Sequence, residues 1–173
     1  IDIEIVKAAF KNIKSLYIAD GHHRCASSVQ LTESNNTGQS KYFMSFLIAE
    51  DQLNIINFNR LIKGLNNLSI NEFLQKLNLN FQIKETSNCN PSNKDEIGMY
   101  LDSKCYLLTA RKDSYINDCV NRLDPAILSN NILNPILNIT DEKTDKNISF
   151  EAGTTPLSAI KKKVDNSEFT VAF

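Results

Sequence analysis

Leu16-Tyr17-Ile18-Ala19-Asp20-Gly21-His22-His23-Arg24-Cys25-Ala26-Ser27-Ser28-Val29-Gln30-Leu31 is the stretch on which the fold reading turns. Its apolar start, Leu16 to Ala19, predicts a short buried strand. Gly21 predicts a tight turn that lets another group approach the backbone. A helix is expected from about His23 to Glu33. Strand, glycine turn and helix start together form a geometry suited to an anion, because the first helical N–H groups lack partners and the helix dipole is positive there. Arg24 adds a planar, permanently charged donor matched to phosphate. Asp20, at the end of the strand, would hold a metal ion or accept a proton. Both histidines of the chain, His22 and His23, lie in the same loop. Asp and Gly are also ordinary turn residues, so on residue types alone a plain surface turn stays open beside a site.

Outward from this stretch, residues 1–12 predict a helix, since Ile3, Val6, Ala9 and Phe10 share one stripe. Residues 34–38 read as a polar loop. Lys41 to Ala49 is apolar and aromatic without a breaker, which predicts a central strand. With Asn54 to Ile62 it predicts a hairpin. Ser69 and Glu72 fit a capping box, opening a helix to about Leu77. Alternation through Leu79, Phe81 and Ile83 predicts a half-buried strand. A short helix is expected over Ser92 to Leu101 and a strand over Lys104 to Ala110. Asp124 and Pro125 fit the cap and first position of a further helix, with Ile127, Leu128 and Ile132 facing inward. Asp141 to Lys146 reads as a solvated charged connection. Asn147 to Phe150 is expected as a strand, Pro156 to Val164 as a helix and Glu168 to Phe173 as a last strand. The class is therefore α+β, or mixed α/β, built on a central mixed sheet with packed helices in a single domain, 1–173.

Composition bounds the function classes. The chain has 173 residues, 42% of them hydrophobic and 23% charged, the profile of an ordinary globular domain. Nineteen basic against twenty acidic residues give a net charge of −1, so charge offers no footprint for nucleic acid. No apolar run approaches the roughly 20 residues of a membrane span. The four cysteines, Cys25, Cys89, Cys105 and Cys119, show no short metal or redox spacing, and four free thiols in a cytoplasmic protein are expected. The chain starts at Ile1 rather than Met, which is expected of the central to C-terminal part of a longer protein.

Ile18-Ala19-Asp20-Gly21-His22-His23-Arg24 resembles the hallmark of an uncharacterised bacterial and archaeal family, number ten-fifteen among the domains of unknown function. Lys41 to Leu47, Phe58 to Ile62, Thr144 to Gly153 and Phe169 to Phe173 resemble its later segments, so the likeness spans nearly the whole chain. Where many members carry Pro-Thr-His-Arg, this chain has Asn57-Phe58-Asn59-Arg60 and shares only the arginine. More distantly the loop is similar to the phosphate-binding loop of the ParB and sulfiredoxin superfamily, which includes a free serine kinase and nucleotide-binding partition proteins. That likeness implies phosphate binding by Gly21, His22, His23 and Arg24 and catalytic roles for Asp20 and His22, while Arg60, the arginine shared with the uncharacterised family, is expected as an accessory residue. His22 stands where sulfiredoxin has its catalytic cysteine, which argues against sulfiredoxin chemistry here.

The expected function is a nucleotide-dependent phosphotransferase using ATP or ADP with Mg²⁺ on a small hydroxyl-bearing metabolite. The alternatives are a non-catalytic nucleotide-binding regulatory module and, ranked last, a metal-dependent hydrolase using Asp20, His22 and His23. Because the superfamily's site also draws on strands upstream of the loop, weak nucleotide binding is expected of this chain.

Overall fold

The computed structural model describes residues 2–35 and 37–173. Residues 1 and 36, with the first position of the expected helix 1–12 and the centre of the expected loop 34–38, lie outside the described residues. Among the described residues five α-helices and one six-stranded sheet form, an α+β fold. The chain divides into two units, Ile1–Leu53 and Asn54–Phe173.

The first unit holds helix α1, Ile3–Phe10, and helix α2, His22–Ser34, with a 3₁₀ turn at Glu50–Gln52. Asp2 caps α1 by accepting from the Glu4 N–H at 3.0 Å. Two expected strands do not form. Residues 16–19 run without strand pairing, with Leu16 63% and Tyr17 91% exposed. Residues 43–49 are likewise unpaired and exposed, so the expected central strand and its hairpin are absent. A strand is stable only when its N–H and C=O groups meet a neighbour, and no described strand pairs with either segment.

The second unit is the sheet and its helices. The strands are β1 (Phe58–Ile62), β2 (Phe81–Thr86), β3 (Glu96–Leu101), β4 (Lys104–Ala110), β5 (Ile148–Ala152) and β6 (Val171–Ala172). Their order is β2-β4-β3-β6-β1-β5. Every pairing is antiparallel, so the sheet is not the expected mixed one. Helix α3, Ile70–Asn80, starts on the expected capping box: the Glu72 N–H donates to Ser69 Oγ at 3.3 Å and the Ser69 N–H donates to Glu72 Oε2 at 2.8 Å. Phe73 and Leu77 are its buried stripe. Helix α4, Asp124–Leu128, begins one residue earlier than expected, with Leu123 at the cap position; the Asp124 carboxylate accepts instead from the Asp95 N–H at 3.1 Å. Helix α5, Leu157–Asp165, buries Ile160 and Val164.

The sheet separates two apolar clusters. The larger contains Ile62, Phe73, Phe81, Met99, Leu108, Ile127, Ile132 and Ile148. The smaller, under α5, contains Leu61, Tyr100, Ile160 and Val164. The alternation of β1 explains the split: Leu61 and Ile62 point to opposite faces, and both are buried.

Two further expectations are corrected. Residues 96–101 form β3, not a helix: six-residue pairing with β4 outweighs the local helix preference around Lys94 and Asp95. Cys89 and Cys105 form a disulfide, leaving Cys25 and Cys119 free instead of four thiols. A separation of 16 residues carries no motif. The pairing of Thr86 with Cys105 brings the end of β2, and the loop that follows it, beside Cys105. No helix among the described residues is long and apolar enough to cross a membrane.

Candidate functional site

The loop before α2 keeps part of its expected geometry. Gly21 occupies the cap position in the left-handed region, φ 82° and ψ 25°, which an L side chain adopts only with strain. Space around it is open, with no atom within 4 Å of where a Cβ would stand. The Gly21 carbonyl accepts from the Cys25 N–H at 3.0 Å and so closes the first helical turn. No side chain caps α2, and no acidic residue lies in its first turn. The N–H groups of its opening residues therefore face outward with the dipole's positive end behind them.

The motif residues surround that helix start. Asp20 directly precedes Gly21, and His22, His23 and Arg24 form the first turn of α2. Asp20, His22, His23 and Arg24 are all exposed. Among the described residues none of their side chains hydrogen-bonds to another protein group; the Arg24 carbonyl accepts from Ser28 Oγ at 2.9 Å. Cys25 is half-buried and free. The buried strand expected ahead of Asp20 is missing, so the arrangement is turn–helix rather than strand–turn–helix. Among the described residues no three His, Cys, Asp or Glu side chains converge as a metal-ligand set.

Arg60, the expected accessory residue, sits on β1 in the second unit, only 15% of its side chain exposed. Its Nε donates to Glu142 Oε2 at 3.1 Å, and Nη1 donates to the Phe58 carbonyl at 3.1 Å. Its guanidinium lies 5.8 Å from the ring centroid of Phe150, the residue opposite it on β5. Glu142 also accepts from the Ser129 hydroxyl. Ser129 and Glu142 were not singled out from sequence. Glu142 lay in a charged run resembling any solvated connection, and no local signal marks Ser129.

A family model described as Protein of unknown function (DUF1015) matches residues 1–126, and the chain belongs to that family. The matched span includes both the Asp20–Arg24 loop and Arg60. Comparison with curated proteins and with solved structures finds no match.

Proposed function

We propose that the Asp20–Arg24 loop is a phosphate-binding element and that the protein binds a nucleotide through it. The observation that carries this reading is the uncapped start of α2 on a left-handed Gly21, with His22, His23 and Arg24 exposed around it. Free N–H groups, the dipole and a guanidinium attract the same ligand, a phosphate. The residues present suit ATP or ADP with Mg²⁺: the helix start and Arg24 suit the phosphates, and the Asp20 carboxylate suits the ion. Asp20 and His22 are the groups on hand for proton transfer to or from a hydroxyl acceptor, so the reading extends to phosphotransfer onto a small metabolite. A regulatory nucleotide-binding module would use the same loop without turnover.

The test is an amide-resolved NMR titration with ATP, ADP and pyrophosphate, with and without Mg²⁺. Saturable shifts centred on Gly21 to Cys25 are expected. Arg24→Ala should weaken binding by about ten- to a hundredfold, the affinity equivalent of a charge-assisted hydrogen bond of roughly 1.5–3 kcal/mol. Arg24→Lys should restore part of it, since lysine keeps the charge and loses the fork. Affinity unchanged in a folded Arg24→Ala protein would end the proposal. Phosphoryl transfer to a hydroxy amino acid, lost in Asp20→Asn with binding retained, would separate enzyme from regulatory module.

A further inference from the structure

Beside the Arg60–Glu142 pair lies a cavity of about 420 Å³, walled by Ser129, Asn130, Asn134, Glu142 and Phe150 among others. That is within the roughly 300–1,000 Å³ range of small-molecule sites. Its helical wall is a π-helical turn, Ser129–Leu133, in which the Asn134 N–H donates to the Ser129 carbonyl at 3.0 Å, five residues back. Such turns are rare and occur frequently at functional sites.

The polar groups of the cavity are arranged, not scattered. Arg60 stands behind Glu142 and neutralises it, while the Ser129 hydroxyl bonds its other oxygen. Asp141 is tied into its own turn, accepting from the Lys143 N–H at 3.0 Å and from Thr144 Oγ1 at 2.8 Å. Lys143, two residues along the chain from Asp141, also lines the cavity. With Arg60 counted behind Glu142, the carboxylates of Asp141 and Glu142 are matched in number by the cations Arg60 and Lys143, so the site has little net sign and selects neither an anion nor a cation. What it leaves unused is the amide of Asn134, exposed and without a side-chain hydrogen bond among the described residues, and the oxygen of Asn130, whose Nδ2 donates to Asn121 Oδ1 at 3.3 Å. Phe150 keeps 38% of its surface exposed beside them.

Paired charges, carboxamides offering both donors and acceptors, and an aromatic wall match a ligand with several hydroxyls and one apolar face. We propose that this cavity binds a small neutral polyhydroxylated molecule, the size of a monosaccharide or cyclitol, laid against Phe150. The site stands independently of the phosphate-binding reading, since it uses none of the loop residues.

The experiment is an NMR titration of the whole chain with D-glucose, D-ribose and myo-inositol, with inorganic phosphate and methylammonium as charged probes. Saturable shifts of the Asn130 and Asn134 side-chain amides with at least one neutral probe are expected, with larger dissociation constants for both charged ones. Asn134→Ala, which removes an exposed side chain that makes no hydrogen bond among the described residues, should weaken binding about tenfold, as should Phe150→Leu. No shift with any neutral probe, equal affinity in both variants, or tighter binding of phosphate or methylammonium would each overturn the proposal.

Discussion

Gly98 shows how closely a single residue is constrained. A Cβ there would stand 1.7 Å from the carbonyl oxygen of Cys89 and 2.9 Å from its carbonyl carbon. Both are backbone atoms, so no side chain can swing away, and the disulfide to Cys105 holds that stretch of backbone to the sheet. A glycine inside a strand commonly marks such a close approach. Gly98→Ala is therefore expected to destabilise the protein by about 1–3 kcal/mol or more, the range of an overpacked core. Urea unfolding followed by circular dichroism checks it, and a change below about 0.5 kcal/mol would place the clash in doubt. The same reasoning applies to Gly153, where a Cβ would meet the Asn57 carbonyl oxygen at 2.3 Å. Arg60 is constrained differently: four neighbouring groups (Glu142, the Phe58 carbonyl, Phe150 and, through Glu142, Ser129) fix a side chain that the sequence marked only as the arginine shared with the family's segment.

Among the elements, α3 carries its own start signal. The bond from the Ser69 hydroxyl holds the Glu72 carboxyl below the usual carboxylate range, with the Ser69 N–H adding to it. Because the folded-state value is depressed, this contribution to stability is present above the ordinary carboxylate pKa of about 4.3 and is lost as pH falls through the folded value. Ser69→Ala should cost about 1 kcal/mol near neutral pH, and the gap between wild type and variant should narrow below about pH 4. Denaturant unfolding at pH 7 and pH 3 measures both; a gap that does not change with pH would show that the carboxylate takes no part. Elements with such local signals were legible in the sequence. The capping box placed α3, and the apolar run Lys104 to Ala110 coincides with β4. Elements decided by distant partners were not. Residues 92–101 have a local helix pattern, yet β3 is made by β4 and β6. Residues 43–49 have the composition of a central strand, yet no strand among the described residues pairs with them. The candidate loop was legible because its chemistry is contiguous, whereas Ser129, Glu142 and Arg60 meet only through the fold.

At the scale of the molecule, burial is distributed very unevenly. Among the described residues every buried one lies between Leu61 and Ala172, within the unit Asn54–Phe173. The described residues of the unit Ile1–Leu53 include none, and many of its large apolar side chains are open to solvent, among them Tyr42 at 80%, Met44 at 99% and Phe46 at 88%. Burial of apolar surface is the main favourable term in folding, so the cooperative unfolding of this chain belongs to the second unit. A chain starting at Asn54 should then keep a single cooperative transition with a melting temperature within a few degrees, about the shift that 1 kcal/mol produces in a domain of this size. The exposed side chains of the first unit lead to the opposite expectation for surface probes. Exposed large apolar side chains bind hydrophobic dyes and favour self-association where they adjoin, so anilinonaphthalene sulfonate fluorescence should be high for the full chain and fall sharply on removal of residues 1–53. Calorimetry and dye binding on the two proteins decide the matter together. Loss of the transition in the shorter chain would show that residues 1–53 contribute to the stable core, and equal dye binding would place the exposed apolar surface in the second unit instead.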